Sequence, residues 1–258
     1  MIGAIIGDIV GSIYEFNNHR SKDFRLFQEE MFFTDDTVMT IAIAKALKEK
    51  GDAGENAIRW MRKLGARYPY SGYGGRFREW LFDESMGPYN SYGNGSAMRV
   101  SAVGWFADGI EEVKELSRKV TEVTHNHPEG IKGAEATALC VYHLLNGMSK
   151  EELRELVERD YYRLDFTIDG IRDSYGFNES CQGTVPQAIE AFLESRDFED
   201  AIRNAISVGG DSDTLAAITG ALAEAHYGVP EPIRAKAEEI LTQELRRMLH
   251  EVEIGFVC

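Results

Sequence analysis

The stretch SVGGDSDTLAAITGALAEAHYG, residues 207–228, joins two glycines and a short acidic motif to a run of small apolar residues. From Thr214 onward the apolar side chains recur at helical spacing, and Gly228 ends the pattern. Gly209 and Gly210 allow positive φ angles just before the predicted helix. We therefore expect a long helix that begins in an acidic turn, and we relate the rest of the chain to it.

The two aspartates of this turn raise a geometric question. Side chains two residues apart on a regular helix point about 200° away from each other. Asp211 and Asp213 can converge only if Asp211 lies outside the first turn, which the glycine pair permits. One carboxylate at a helix start is usually a cap, but three successive oxygen side chains, residues 211–213, exceed what capping needs. Hard divalent cations bind such oxygens.

A second acidic cluster, TDDT at residues 34–37, stands at the start of another predicted helix. Together the two clusters carry about −4 at neutral pH, and they would repel each other strongly without a counter-charge. Two divalent cations, Mg²⁺ or Mn²⁺, would neutralise them. The predicted metal ligands are Thr34, Asp35, Asp36, Asp211, Asp213 and Thr214. The alternative is two independent surface helices, each with its own cap.

Two further features are candidates for the same site. Glu15 lies in an otherwise apolar segment, where it either forms a structural ion pair or serves as an acid or base. The turn of Gly93, Asn94, Gly95 and Ser96 precedes a predicted helix over 96–109. Its backbone N–H groups can hold an anion, although a simple turn with a serine cap has the same pattern.

The segment Thr124 to Pro128 contains two histidines, His125 and His127. Histidine is a common metal ligand, but no soft ligand lies nearby and the acidic clusters suit harder metals. We therefore expect these histidines to form hydrogen bonds, either within the protein or to a ligand. We include His127, Gly210 and Ser212 among the predicted substrate-binding residues.

Composition excludes several classes of function. The 258 residues carry a net charge of −15, which argues against nonspecific binding to nucleic acid or an anionic membrane. Cys140, Cys181 and Cys258 are too few and too widely spaced for a disulfide framework. No apolar run reaches the roughly 18 residues of a membrane span, and the apolar N-terminal segment does not read as a signal peptide. We expect a cytoplasmic protein.

The periodicity predicts about a dozen helices and little or no sheet, hence one compact all-α domain over residues 1–258. Gly3, Gly7 and Gly11 lie near one face of the first predicted helix, where another backbone can pack closely. Pro186 is predicted to open one helix and Pro232 to open a long one that ends near Glu251. Residues 70–78 are predicted to form a loop.

Together these motifs resemble the ADP-ribosylglycohydrolase family over nearly the whole chain. The matching motifs, in order, are Gly7-Asp8-x-x-Gly11-x-x-x-Glu15, Thr34-Asp35-Asp36-Thr37, Gly93-Asn94-Gly95-Ser96-x-Met98-Arg99, Thr124-His125-x-His127-Pro128, Val185-Pro186-x-Ala188 and Gly209-Gly210-Asp211-Ser212-Asp213-Thr214. One such motif is weak evidence, whereas six in the same order are specific.

The resemblance implies an all-α hydrolase with a binuclear Mg²⁺ or Mn²⁺ site that cleaves a glycosidic bond of ADP-ribose. It implies that ADP-ribose lies over the metals, with Gly93 to Ser96 around a phosphate or ribose. Glu15, Asp36 and Asp211 are the predicted catalytic residues. Some members carry an aspartate where this chain has Asn94, so Asn94 is not the base here.

The expected partner is an ADP-ribosylated protein or a small-molecule ADP-ribose conjugate. The residues leave its acceptor group open, among arginine, serine, a nucleic-acid end and a small molecule. Two other readings are compatible with the same motifs: a metal-dependent hydrolase of another nucleotide-sugar or phosphate ester, and a non-catalytic protein that binds ADP-ribose.

Overall fold

The computed structural model describes residues 1–254, so Cys258 lies outside the described residues. The described chain is all-α, as predicted: it forms fifteen helices and no strand. In chain order they are α1 (Ile2–Gly11), α2 (Asp35–Lys48), α3 (Ala53–Arg67), α4 (Gly75–Phe82), α5 (Gly95–Met98), α6 (Ala102–Phe106), α7 (Ile110–Glu122), α8 (Pro128–Leu145), α9 (Lys150–Asp160), α10 (Ile168–Ile171), α11 (Cys181–Leu193), α12 (Phe198–Val208), α13 (Ser212–Tyr227), α14 (Glu231–Ile240) and α15 (Gln243–Glu253).

Two helices distant in sequence, α1 and α13, pack against each other at the centre of the molecule. Every residue of α1 is buried. A methyl group added to Gly3 would lie 2.2 Å from the carbonyl oxygen of Gly220, and one added to Gly7 would lie 1.9 Å from that of Ala216. These distances are far inside van der Waals contact, so only glycine allows the approach. The expected close packing along this glycine face is confirmed.

The remaining helices surround this pair. Helices α8, α11 and α12 pack against α13, while α2 packs against α1, α3 and α15. Their buried apolar side chains contact one another and form one continuous core. The arrangement brings the start of α2, the start of α13 and the end of α1 to one side of the molecule. No helix in the described range has both the length and the apolar character to cross a membrane.

One predicted helix start, at Pro186, and one predicted helix end, near Glu251, were wrong, whereas Pro232 does lie in the first turn of its helix. Pro186 does not open a helix but lies inside α11, which begins five residues earlier because Ser180 caps it: the Ser180 hydroxyl accepts a hydrogen bond from the Gly183 N–H at 3.2 Å. The helix that contains Pro232 ends at Ile240, and a new helix, α15, follows. Thr242 caps α15 by accepting from the Leu245 N–H at 3.2 Å.

Two further boundaries differ from prediction. The predicted helix over 96–109 is divided into α5 and α6. The interruption begins at Arg99, whose buried guanidinium turns to the Thr124 hydroxyl at 2.7 Å. The predicted loop over 70–78 is also shorter than expected, because α4 begins at Gly75 and carries Phe77 and Trp80 into the core.

Candidate active site

Three carboxylates meet at one point of the structure. Ligand oxygens of Glu15, Asp211 and Asp213 all lie within 4.8 Å of one another. They lie at the wall of a cavity of about 780 Å³, which the start of α2 also lines through Thr34, Asp35 and Asp36. The two acidic clusters predicted from the sequence are therefore neighbours in space, although most of the chain separates them.

The turn before α13 explains how Asp211 and Asp213 converge. Gly209 and Gly210 have φ angles of +74° and +75°, as the sequence predicted for the glycine pair. Asp211 is the residue just before the helix, with a non-helical ψ of 78°, and its side chain makes no capping bond. Instead its carboxylate accepts a hydrogen bond from the Asn94 side-chain amide at 2.7 Å. Asp211 is thus directed into the cavity and is not used to stabilise the helix start.

The start of α2 supplies the other half of the cluster. Thr34 caps this helix by accepting from the Asp36 N–H at 3.3 Å. One carboxylate oxygen of Asp36 accepts from the Thr214 hydroxyl at 3.4 Å. The other oxygen, Oδ1, is buried and has no hydrogen-bond partner among the described residues. A buried carboxylate oxygen without a partner is unfavourable unless a cation or water satisfies it.

Asp8 supports the start of α2, a contact that the sequence did not predict. It is fully buried in α1, and its carboxylate accepts the N–H groups of Thr34 at 2.9 Å and Thr37 at 3.0 Å. Both threonine hydroxyls also donate to it. Asp8 therefore fixes the backbone of the acidic turn from behind. The sequence shows only that Asp8 is a polar residue in an apolar segment. The four groups that donate hydrogen bonds to it come from a distant part of the chain, which no local pattern indicates.

The electrostatics of the cluster follow from burial without a nearby cation. Burial, followed by the charges of neighbouring carboxylates, raises the pKa of Asp35, Asp36 and Asp213 well above the usual range. The pKa of Glu15 rises to about 7, first through burial and then through the charges of nearby carboxylates. Burial also raises the pKa of Asp8 to about 6, although its four hydrogen bonds oppose the shift. For these five carboxyl groups, burial and like charge favour the protonated form.

The donor set fits hard divalent cations. It consists of carboxylate and hydroxyl oxygens only, with no sulfur or imidazole ligand at the point of convergence. The partnerless Asp36 oxygen and the raised carboxylate pKa values are the features that bound cations would relieve. The described carboxylates that converge closely enough to hold such an ion are Glu15, Asp211 and Asp213, and the start of α2 lines the same cavity.

The glycine turn lies beside the cluster and lines the cavity through Gly93, Asn94 and Gly95. The Asn94 side chain donates to Asp211 and also to the Thr184 hydroxyl at 3.1 Å. Ser96 does not line the cavity; its buried hydroxyl donates to the Gly130 carbonyl at 2.8 Å. Residues 93–95 of the turn therefore line the cavity, whereas Ser96 connects the turn to α8 behind the cavity wall.

The structure brings His125, and not His127, to the cavity. His127 precedes α8 and accepts the Glu129 N–H at 3.1 Å through its Nδ1. Two other predicted substrate-binding residues also lie behind the wall. Gly210 donates its N–H to Asn18 at 2.8 Å, and the fully buried Ser212 hydroxyl donates to the Tyr14 carbonyl.

A hydrogen-bonded chain orients His125. The Arg99 guanidinium donates to the Thr124 hydroxyl at 2.7 Å, and this hydroxyl lies 2.8 Å from Nδ1 of His125. Since the Thr124 oxygen accepts from Arg99, its own proton is available for Nδ1. Burial, followed by the charge of Arg99, holds the pKa of His125 well below its usual range, which favours the neutral ring. Its Nε2 then carries the hydrogen and faces the glycine turn.

The cavity lining carries side chains of both charges. Arg76 and Arg99 line the cavity together with Gly72, Gly74 and Gly75. Glu15, Phe177 and Glu179 line it as well. Phe177 stacks there on Phe16, with ring centroids 6.1 Å apart and an interplanar angle of 23°.

Comparison with known proteins places these features in a family. The model of the ADP-ribosylglycohydrolase family matches residues 1–256. The chain is 28% identical to ADP-ribosylhydrolase ARH3 of Homo sapiens, over 96% of this chain and 92% of that protein. It is 26% identical to the ADP-ribosyl-[dinitrogen reductase] glycohydrolase of Rhodospirillum rubrum, with the same coverage of 96% and 92%. A solved structure, described as an ADP-ribosylglycohydrolase-related protein complex, shares the fold with a TM-score of 0.67 at 24% identity, over 99% of this chain and 97% of that chain.

Proposed function

Because the chain belongs to the ADP-ribosylglycohydrolase family of hydrolases, we propose that it cleaves the glycosidic bond between ADP-ribose and an acceptor group at the carboxylate cluster. The observation that carries this proposal is the convergence of Glu15, Asp211 and Asp213 on one point beside a buried Asp36 oxygen without a partner. A protein that only bound a nucleotide would have no use for so much uncompensated negative charge, since burying it is costly.

We propose that two Mg²⁺ or Mn²⁺ ions bind between the starts of α2 and α13, held by Thr34, Asp35, Asp36, Asp211, Asp213 and Thr214. When bound, such ions lower the pKa of water and stabilise negative charge that develops on oxygen. Asn94 holds the Asp211 carboxylate in position, and Asp8 holds the turn that carries Thr34 and Asp36. The ligands are therefore oriented before any ion arrives.

Within this proposal, Glu15 carries the proton. Its carboxyl is half-buried, lines the cavity and lies against Asp211 and Asp213. A group in this position can take a proton from the attacking water and return one to the leaving acceptor. Asp36 and Asp211 act with it by orienting the sugar and the attacking water. Asn94 cannot exchange a proton in this way, because an amide has no titratable oxygen.

The glycine turn is the proposed contact for the rest of the substrate. Gly93 and Gly95 carry no side chains, so a phosphate or a ribose can approach their backbone closely. His125 Nε2, held as a donor by the Arg99–Thr124 chain, faces the same turn. Ser96, His127, Gly210 and Ser212 contribute to substrate binding by supporting these walls.

The experiment that tests the proposal measures free ADP-ribose released from peptides ADP-ribosylated on arginine or on serine. Each is incubated with Mg²⁺, with Mn²⁺ or with EDTA. We expect cation-dependent release from at least one peptide, and its loss in Asp211→Ala. Asp165→Ala serves as the control, because Asp165 is exposed and pairs only with Arg163. Failure to release ADP-ribose from both peptides, or full activity of Asp211→Ala, would contradict the proposal.

A further inference from the structure

The side chain of Asn18 joins two segments that carry carboxylates of the site. Its Nδ2 donates to the carbonyl of Tyr14 at 2.8 Å and to that of Glu15 at 2.9 Å. The same nitrogen donates to the Gly210 carbonyl at 2.9 Å, and Oδ1 accepts the Gly210 N–H at 2.8 Å. One amide therefore links the backbone of Glu15 to the residue just before Asp211. We call these four contacts the Asn18 bridge.

The chemistry of the four contacts fixes the orientation of the amide. Nδ2 has two hydrogens, which three carbonyl oxygens share, whereas Oδ1 has none and meets an N–H. The reverse orientation would place Oδ1 against the carbonyls and Nδ2 against the N–H, so only the observed orientation satisfies every contact. A carboxylate at this position would meet the three carbonyls with oxygen alone.

The bridge lies directly over the turn that aims Asp211 into the cavity. A methyl group on Gly209 would lie 3.0 Å from Oδ1 of Asn18 and 3.2 Å from Cζ of Arg20. The Arg20 guanidinium donates to the Val208 carbonyl at 2.8 Å, so it holds the same turn from its other side. The two glycines of the turn adopt positive φ angles easily, but they also permit other conformations. Contacts from outside the turn therefore select the conformation that is observed.

The carboxylates that the bridge brings together repel each other. Oxygens of Glu15, Asp211 and Asp213 lie within 4.8 Å of one another, and like charges this close favour separation when no cation lies between them. Glu15 follows the end of α1 and Asp211 precedes the start of α13, so the packing of these helices positions both residues only indirectly. The Ser212 hydroxyl also joins the two segments, through the Tyr14 carbonyl, but at 3.4 Å this bond is longer and weaker.

We propose that Asn18 is a positioning residue that fixes the distance between the Glu15 and Asp211 carboxylates and so prepares the site for its cation. The inference rests on the proposed function for the role of the cation, whereas the bridge itself can be measured without one. Because the two segments are held together beforehand, cation binding does not have to bring them together. Asn18 acts through Glu15 and Asp211 and contacts neither the cation nor the substrate.

The first measurement is amide hydrogen exchange at Gly210 in EDTA, followed by NMR on the full chain. We expect this N–H to exchange at least about tenfold faster in Asn18→Ala than in the wild type, because it loses its acceptor. Asn17→Ala is the matched control, since Asn17 is an exposed neighbour whose side chain makes no hydrogen bond within residues 1–254. Unchanged exchange in Asn18→Ala would overturn the inference, whatever the activity of the chain.

The second measurement is the Kd for Mn²⁺, from a titration followed by electron paramagnetic resonance. We expect Asn18→Ala to weaken binding by about tenfold, as for other residues that orient metal ligands. Asn18→Asp should weaken it as well. Its added negative charge would on its own strengthen cation binding, so weaker binding reports the loss of the amide donors. Asn17→Asp adds the same charge one residue away and should not weaken binding.

These measurements separate the bridge from the proposed function. Asn18→Asp keeps an acceptor for the Gly210 N–H, so the Mn²⁺ titration remains possible if Asn18→Ala does not fold. Wild-type affinity for Mn²⁺ in both Asn18 variants would overturn the positioning role, even with faster exchange at Gly210. If the wild type neither bound Mn²⁺ nor released ADP-ribose, the proposed function would be overturned, and faster exchange in Asn18→Ala would still support the bridge.

Discussion

Thr124 shows how one buried hydroxyl can determine the chemistry of its neighbour. It lies between Arg99 and His125 and is the only side chain of the described structure that bonds to both at under 3 Å. Without it, Nδ1 of His125 would keep only the Arg99 guanidinium at 3.5 Å, a longer and weaker contact than the Thr124 hydroxyl at 2.8 Å. Thr124 is thus a positioning residue that acts through His125.

This role predicts the effect of two substitutions. Thr124→Val keeps the shape but removes the hydroxyl, so the buried Arg99 loses its closest acceptor and Nδ1 of His125 keeps only the Arg99 guanidinium, at 3.5 Å. We expect kcat/KM for ADP-ribose release to fall by about tenfold or more. Thr124→Ser should restore most of the activity, which a loss of packing alone would not allow. Equal activity of the valine and serine variants would refute the role.

Asp8 gives a second prediction at the scale of the residue. Asp8→Asn keeps the volume but turns an amide N–H₂ toward donors at Thr34 and Thr37. We expect a loss of about 2–3 kcal/mol in the free energy of unfolding, because hydrogen bonds to a charged group are lost in a buried site. Cation affinity should fall by about 10–100-fold, as for other residues that orient metal ligands.

Chemical denaturation and a Mn²⁺ titration measure the two effects. Asp165→Asn is the matched control, since it makes the same change at an exposed carboxylate. If Asp8→Asn unfolded at the same denaturant concentration as the wild type, the carboxylate would not be holding the turn.

At the scale of residues, the sequence predicts the proposed metal ligands better than it predicts the residues that hold the walls of the site in place. The acidic motifs at 34–36 and 211–214 were predicted because several oxygen side chains stand together at helix starts. The aim of Asp211 into the cavity follows from the glycine pair before it. The roles of Asp8 and His125 depend on partners far along the chain or across a wall, which no local pattern reveals.

At the scale of elements, the contact of α1 with α13 controls the site. The glycine face brings the two backbones together, and the end of α13 nearest the cavity carries Asp211 and Asp213. A methyl group on Gly11 would lie 2.3 Å from the α carbon of Asp213. Separation of the two helices would therefore move half of the carboxylates away from Glu15.

Gly7→Ala tests this contact. The added methyl would lie 1.9 Å from the Ala216 carbonyl oxygen, so the helices must move apart. We expect a net destabilisation of at least about 1–3 kcal/mol, since overpacking outweighs the gain of up to about 1 kcal/mol in helix propensity. Activity should fall with it. Gly87→Ala is the control, because a methyl there meets open space. Thermal unfolding of both variants measures the destabilisation. Equal stability of Gly7→Ala and Gly87→Ala would contradict the close packing of α1 on α13.

The existence of a helix is predictable where apolar periodicity and a cap agree, as in α9, where Ser149 and Glu152 form a capping box. Predicted helix boundaries were wrong where a capping residue elsewhere in the segment competes with the proline signal. Pro186 is typical of a first helical turn, but Ser180 caps the helix five residues before the predicted start. The long predicted helix after Pro232 is broken because Thr242 caps a new one.

At the scale of the whole molecule, the proposed cations link chemistry to stability. An ion that binds only the folded chain stabilises it by about 2.7 kcal/mol at one hundred times its Kd. We expect the Tm to rise when Mg²⁺ or Mn²⁺ is added to EDTA-treated protein. The rise should be lost in Asp213→Asn and kept in Asp165→Asn. Scanning calorimetry measures it independently of activity, and an unchanged Tm for the wild type would exclude tight binding at these carboxylates.

The pairing of α1 with α13 also has a consequence for biosynthesis. Every residue of α1 is destined for burial, yet α1 is translated long before its partner α13. Such non-local contacts form slowly and leave apolar segments open to aggregation in the meantime. The nascent protein should therefore depend on chaperones that shield α1 until α13 has been made, and the carboxylate cluster can form only after that.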